Sequence, residues 1–221
     1  MDKRQFLKKL YDLHDHLTHG WKLACKKCCS DCCTDHIFMT GLEGLLIIEY
    51  LNAKNIQDFL HQAILPDKRY HPKTTINQEA WLALQDKPIP EPEDTPLNSC
   101  IFLTNDQCSI YPVRPMSCRT MVSTLPCHSA GHATMTSFQL SAATLFYQFI
   151  EMLDLGGYYG NYLNILEMLI TPPETQSIQL IMTKTSLLRN HRIHHVMMPP
   201  EHRETLIPVM NEIQNVFHPS K

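Results

Sequence analysis

Five of the nine cysteines in this 221-residue chain fall within the nine-residue stretch CKKCCSDCC. The residues in this stretch are Cys25, Cys28, Cys29, Cys32 and Cys33. The other four cysteines occur in a second region, as Cys100, Cys108, Cys118 and Cys127. Three kinds of structure use cysteine at such density: a disulfide framework, a helix face that packs cysteine as a small hydrophobic residue, and a thiolate metal site.

Composition and compartment argue against the disulfide framework. The N-terminal residues mix charged and apolar side chains and lack the continuous apolar segment of a signal peptide, and no later stretch is long enough to span a membrane. We therefore expect a soluble, cytoplasmic protein that does not insert into membranes. Thiols stay reduced in the cytoplasm, and nine is an odd number.

The helix-face alternative rests on the spacing of four cysteines. Cys25, Cys28, Cys29 and Cys32 lie at i, i+3, i+4 and i+7, which is one face of a helix. However, an ordinary helix face mixes in leucine, isoleucine or valine, and cysteine is a mediocre helix former. This alternative stays open, but the sequence favours it less than a metal site.

A metal site fits the spacing best. A Cys-x-x-Cys turn points two thiolates and two backbone amides at one ion, and the stretch contains two such pairs, 25/28 and 29/32. Nine cysteines exceed the four thiolates of one mononuclear site. Zinc, iron–sulfur clusters and copper(I) all take cysteine ligands, so the residues alone leave the metal open.

Helical periodicity and turn residues predict a mainly α fold, a helical body with a small Cys-bearing β-hairpin pinned by a metal centre. The hairpin is expected to pair residues 100–103 with 108–111 across the tetrapeptide TNDQ, and residues 87–96 to form a proline-rich linker. Two units are expected, a Cys-rich domain over 1–130 and a helical extension over 131–221 packed on the same body. Helices are predicted over 3–19, 41–53, 55–64, 75–86, 138–153, 160–170, 174–189 and 200–217.

The stretch CKKCCSDCC followed by CIFLTNDQCSIYPVRPMSCR resembles the YkgJ-type cysteine-cluster family of zinc- or iron-chelating proteins, over residues 20–130. By position, the resemblance implies eight metal ligands, namely Cys25, Cys28, Cys32, Cys33, Cys100, Cys108, Cys118 and Cys127. This chain has one cysteine more than the family pattern, so Cys28 and Cys29 compete for one position. We expect Cys29 to be the spare thiol.

Charged residues near the cysteines have possible roles of their own. Arg114 and Arg119 either offset the thiolate charge or form surface salt bridges. His36 and His128 are candidates for a mixed cysteine–histidine site.

The predicted function is metal binding, with zinc or iron, including an iron–sulfur cluster, as the cofactor. A similar cysteine cluster occurs in flagellin lysine N-methylases, and this resemblance raises an enzyme as the alternative; copper(I) storage is a weaker one. The chain has no glycine-rich phosphate loop and no basic stripe, and its net charge is −3, so we expect no nucleic-acid partner. No protein partner can be named from the residues.

Overall fold

Eight α-helices make up about half of the part of the chain that the computed structural model describes, which is residues 2–26, 28–56, 60, 69–91, 97–171 and 186–217. The mainly α fold class is confirmed. The helices are Lys3–Thr18 (α1), Gly41–Ala53 (α2), Ile76–Leu84 (α3), Met116–Thr120 (α4), Cys127–Ala130 (α5), Ser137–Leu153 (α6), Tyr162–Ile170 (α7) and Arg203–Phe217 (α8). Short 3₁₀ turns lie at Tyr111–Val113 and Pro200–His202.

Five short strands complete the fold in the described ranges. They are Phe38–Thr40 (β1), Leu103–Thr104 (β2), Gln107–Cys108 (β3), Tyr158–Asn161 (β4) and Leu188–Arg189 (β5). The first, fourth and fifth form an antiparallel sheet in the order β1-β4-β5, and β2 pairs with β3. The three-stranded sheet joins the chain before residue 130 to the chain after it, because Met39 in β1 lies opposite Gly160 in β4.

The predicted hairpin exists, but its position and its turn differ from the prediction. Leu103 lies opposite Cys108, so only Asn105 and Asp106 form the loop instead of the expected tetrapeptide. Both loop residues have positive φ, 49° and 58°, as a type I′ turn requires, and Asn and Asp tolerate this backbone conformation. Consequently Cys100 precedes the first strand and Cys108 ends the second, rather than each starting a strand.

The prediction for the C-terminal third is wrong at two helix ends. The helix expected over 160–170 begins at Tyr162, because residues 158–161 pair with β1 as strand β4. The end of the helix expected over 174–189 is strand β5, which pairs with β4. Residues 174–185 of that helix lie outside the described residues, as do most of the helix expected over 55–64 and residues 92–96 of the linker. None of the helices described here has the length and apolarity needed to cross a membrane.

Two apolar clusters form the core. The first lies among α1, α6 and α8 and contains fully buried Leu10, Phe146 and Leu206. The second lies among α2, α7 and β1 and contains buried Ile47 and Ile165. Cys100, Cys108 and Cys118 pack against this second cluster, so the core itself forms the floor under three of the cysteines.

One buried carboxylate, Glu43, ties three helices together. It completes the capping box of α2, where it accepts hydrogen bonds from the Thr40 amide (2.9 Å) and hydroxyl (3.1 Å). Its other oxygen accepts from the Tyr11 hydroxyl of α1 (3.0 Å) and the Met116 amide of α4 (2.8 Å). Burial raises the pKa of Glu43, and these donors lower it. Glu43 therefore fixes the start of the helix that carries Cys118.

We predict that Glu43→Ala lowers the free energy of unfolding by about 2 to 4 kcal/mol, because buried donors lose their acceptor. The matched control is Glu49→Ala on the same helix; the Glu49 side chain is 50% exposed, and its loss should change stability by less than about 0.5 kcal/mol. Urea denaturation of both variants measures the difference. Equal midpoints in the two variants would show that Glu43 does not hold the helices together.

Candidate metal centre

Eight of the nine cysteines line a single cavity of about 740 Å³. They come from the loop over 25–33, from the hairpin and from α4, and they are Cys25, Cys28, Cys29, Cys32, Cys33, Cys100, Cys108 and Cys118. Cys127 starts α5 and is not among the lining residues. All nine are free thiols in this structure.

The cysteine-rich stretch over 25–33 is a loop of two turns, so the helix-face alternative is wrong for its described residues. The Cys29 amide donates to the Lys26 carbonyl (3.1 Å), and the Cys33 amide donates to the Ser30 carbonyl (2.9 Å). Each turn thus ends on a cysteine, one residue beyond the predicted Cys-x-x-Cys pairs 25/28 and 29/32. Cys28 has a φ of 63°, a left-handed backbone conformation that residues other than glycine rarely adopt.

Backbone contacts hold this loop at both ends. At its start, the Ala24 amide donates to the Ser123 carbonyl (2.8 Å), and the Ser123 amide donates to the Cys25 sulfur (3.3 Å). At its end, the Cys100 amide donates to the Cys33 carbonyl (3.1 Å). The loop is therefore fixed against the two regions that carry the other cysteines.

Backbone amides also point at the hairpin sulfurs. The Phe102 amide donates to the Cys100 sulfur, and the Ile110 amide donates to the Cys108 sulfur, two residues along the chain in each case. Burial raises the pKa of both thiols, and the amide hydrogen bonds lower it. Amides that donate to sulfur favour the thiolate, which is the form that binds metal.

Tyr162 is a cavity residue that sequence reasoning did not identify. It is 2% exposed, it lies at the start of α7, and its hydroxyl accepts a hydrogen bond from the Ile101 amide (3.2 Å). The same hydroxyl interacts with the Cys100 thiol and lowers the pKa of that thiol. No cysteine or histidine neighbours Tyr162 in sequence, so no pattern marked it.

The Cys32 and Cys33 thiols form a hydrogen-bonded pair. The interaction with Cys33 lowers the pKa of Cys32 to about 7. It raises the pKa of Cys33, because that thiol keeps the shared proton. The first thiolate of the metal-free cavity is therefore expected on Cys32.

The two arginines differ in role. Arg119 is buried, its guanidinium lies 4.2 Å from the Tyr11 ring centroid, and it forms an ion pair with Asp15 at 2.8 Å. It also donates to the carbonyls of Pro112 (2.8 Å) and Arg114 (3.1 Å), so it fixes the chain that leads into α4. The salt-bridge alternative therefore holds for Arg119, with the correction that its guanidinium is buried.

Arg114 acts on the thiols instead. Its guanidinium stacks 3.7 Å over the Tyr111 ring and donates to the Tyr111 carbonyl (3.0 Å). Burial raises the pKa of Cys118 and of Cys108, whereas the positive charge of Arg114 lowers both. Among the described residues, Arg114 has no carboxylate ion-pair partner. It is the counter-charge of these two thiols.

The candidate histidines lie away from the cavity wall. His36 stacks on Tyr70 with a centroid distance of 4.8 Å, and His128 lies on α5; neither lines the cavity. His14 of α1 does line it, is 3% exposed, and was missed by sequence reasoning. Burial lowers the pKa of His14.

The thiols surround the cavity without touching one common point. Within the described ranges, no three side chains of His, Cys, Asp or Glu form a preassembled coordination group. The donor set is nevertheless almost purely sulfur, which suits zinc and iron. Ligation thus requires the cysteine side chains to turn inward from the cavity wall.

Comparison with known families accords with this donor chemistry. The CxxCxxCC family model, described as "Putative zinc- or iron-chelating domain", matches residues 24–136, which is half of the chain. The chain belongs to this family. The matched region contains all nine cysteines, whereas Tyr162 lies beyond it. Comparisons with curated proteins and with solved structures gave no match.

We predict that iodoacetamide alkylates Cys32 of the metal-free protein faster than Cys25 near pH 7. The thiolate is the nucleophile, the pKa of Cys32 is about 7, and partial burial raises that of Cys25. Cys33→Ala removes the hydrogen bond to Cys32 and should slow its alkylation. Fragmentation mass spectrometry of the labelled peptides measures both rates. Equal rates for Cys32 and Cys25 would contradict the thiol pair.

Proposed function

We propose that this protein holds zinc or iron through cysteine thiolates gathered from its N-terminal loop and its hairpin region. The observation that carries the proposal is the cavity that eight of the nine cysteines line together. Soft sulfur donors at this density bind zinc and iron, the two metals that the family description names. A metal ion is therefore the binding partner that the cysteine thiolates of the cavity predict.

The charges around the cavity support thiolate ligation. Four thiolates on a divalent ion leave a net charge of −2, which must be offset where solvent is partly excluded. Arg114 lies near two of the thiols, and Lys26 also lines the cavity. Asp15, one of the acids of the wall, is already paired with Arg119.

The metal would also stabilise the fold. The loop and the hairpin region are distant in sequence and meet through few backbone hydrogen bonds. Structural zinc contributes on the order of 10 kcal/mol in zinc-finger peptides, far more than such contacts. In a zinc protein the centre would therefore pin the hairpin to the helical body. An iron ion or iron–sulfur cluster would add redox chemistry at the same thiols.

We place the protein in the cytoplasm, because a cavity lined by thiols that serve as ligands needs a reducing environment.

Purification without oxygen, followed by elemental analysis and an absorption spectrum, tests the proposal. Zinc gives a colourless protein with stoichiometric metal, and an iron–sulfur cluster gives a brown protein with acid-labile sulfide. Either result supports the proposal and decides the metal. A chain that retains neither metal, even after reconstitution with each under reducing conditions, would refute it.

Substitution of a hairpin cysteine should remove both metal and stability. We predict that Cys108→Ser lowers the metal content and the melting temperature, since Cys108 lines the cavity and receives the Ile110 amide. The control is Thr104→Ser, an exposed residue of the paired strand that does not line the cavity, which should keep both values. Unchanged metal content in Cys108→Ser would exclude the hairpin from the site.

A further inference from the structure

We propose that the cysteine-lined cavity also binds a small, uncharged and largely apolar molecule, whose hydroxyl group donates a hydrogen bond to His14. This inference rests on the proposed function and adds the class of organic ligand that shares the cavity with the metal. The observation that carries it is a buried imidazole with a free nitrogen at the cavity wall.

The cavity has more room than a metal ion needs. Its volume is about 740 Å³. Sites for small organic molecules have volumes of about 300 to 1,000 Å³. A metal ion lies only about 2.3 Å from each thiolate sulfur, so an ion bound by cysteines fills a small part of this space. Room therefore remains for an organic molecule beside it.

Between the thiols, the cavity wall is mostly apolar. Its apolar side chains are Leu23, Ile37, Ile47, Phe102, Leu103, Ile110, Met121 and Val122. Such a wall favours a ligand with an apolar body. The positive charges of Lys26 and Arg114 offset the charge of metal-bound thiolates, so we expect the ligand to be uncharged.

His14 presents a free nitrogen to this cavity. The residue is 3% exposed, and its ring packs edge-on against Phe146 of the first core cluster, with the centroids 5.2 Å apart. Its Nδ1 lies 3.4 Å from the Asp15 carboxylate. Its Nε2 has no hydrogen-bond partner among the described residues, yet it is not one of the fully enclosed polar atoms that lack a partner. Nε2 therefore borders the open space of the cavity, where a ligand can reach it.

The neighbours of His14 make Nε2 a hydrogen-bond acceptor. Arg119 holds the Asp15 carboxylate in an ion pair at 2.8 Å, and this carboxylate places the imidazole proton on Nδ1. Burial lowers the pKa of His14, Asp15 raises it, and the positive charges of Arg119 and Arg114 lower it. We expect a neutral ring near neutral pH, with a lone pair on Nε2. A hydroxyl on an apolar body supplies the matching donor.

Two probes of nearly equal size, phenol and toluene, test the proposal, because only phenol has a hydroxyl group. Their affinities are measured by titration calorimetry on the zinc-loaded full chain. His14→Phe keeps a ring and removes both nitrogens, so phenol should bind about five- to tenfold more weakly, whereas toluene should not. The control is His16→Phe, an exposed residue of the same helix outside the cavity wall, which should change neither affinity.

NMR of the imidazole ¹⁵N nuclei in the wild-type chain gives a measurement that does not depend on variants. Phenol should shift the Nε2 resonance of His14, and toluene should shift it less. The resonances of His16 should not respond to either probe. This measurement decides the proposal if His14→Phe does not fold.

The other outcomes would overturn the proposal in distinguishable ways. An equal loss of phenol and toluene affinity in His14→Phe would show a merely structural role for His14. Binding of neither probe by the wild-type chain would exclude the organic ligand. Loss of zinc from folded His14→Phe would make His14 a metal ligand instead. If the wild-type chain binds no zinc, the proposed function fails, and titration of the metal-free chain with phenol still decides whether His14 anchors a ligand.

Discussion

The contact between the chain around Cys33 and the chain around Cys100 is the constraint on which the rest of the site depends. Three elements hold it: the Cys100-to-Cys33 hydrogen bond, an isolated bridge between Thr34 and Ser99, and the paired hydrogen bonds of Asp35 with Asn98. Without this junction the two groups of cysteines would belong to different surfaces. With it they form the wall of one cavity.

The C-terminal part of the chain supports that junction from behind. The Asn161 amide group donates to the Asp35 carbonyl (2.8 Å), and the Tyr162 amide donates to the Ile37 carbonyl (2.9 Å). The Tyr162 hydroxyl then reaches Cys100 and its neighbour Ile101. Polar groups that orient metal ligands from behind tune both affinity and geometry. The start of α7, beyond the family region, therefore contacts the cavity wall, although it contributes no cysteine.

Local signals in the sequence were sufficient for the long helices α1, α2 and α6 and for the kind of site, but not for the short helices α4 and α5. The Thr40 and Glu43 capping box and the apolar periodicity of α1 each predict a helix that the structure contains. The sequence did not predict the three-stranded sheet. Strand β4 follows two glycines, and strand β5 follows a segment of helical composition. The pairing of β1 with β4 joins residues more than a hundred positions apart and leaves no local pattern.

X-ray absorption spectroscopy of the zinc-loaded chain tests most directly whether sulfur alone surrounds the metal. The thiolate cavity predicts four sulfur neighbours for each zinc at about 2.3 Å, with no nitrogen or oxygen in the first shell. A shell dominated by nitrogen or oxygen near 2.0 to 2.1 Å would contradict it, because that shell would require histidines or carboxylates as ligands.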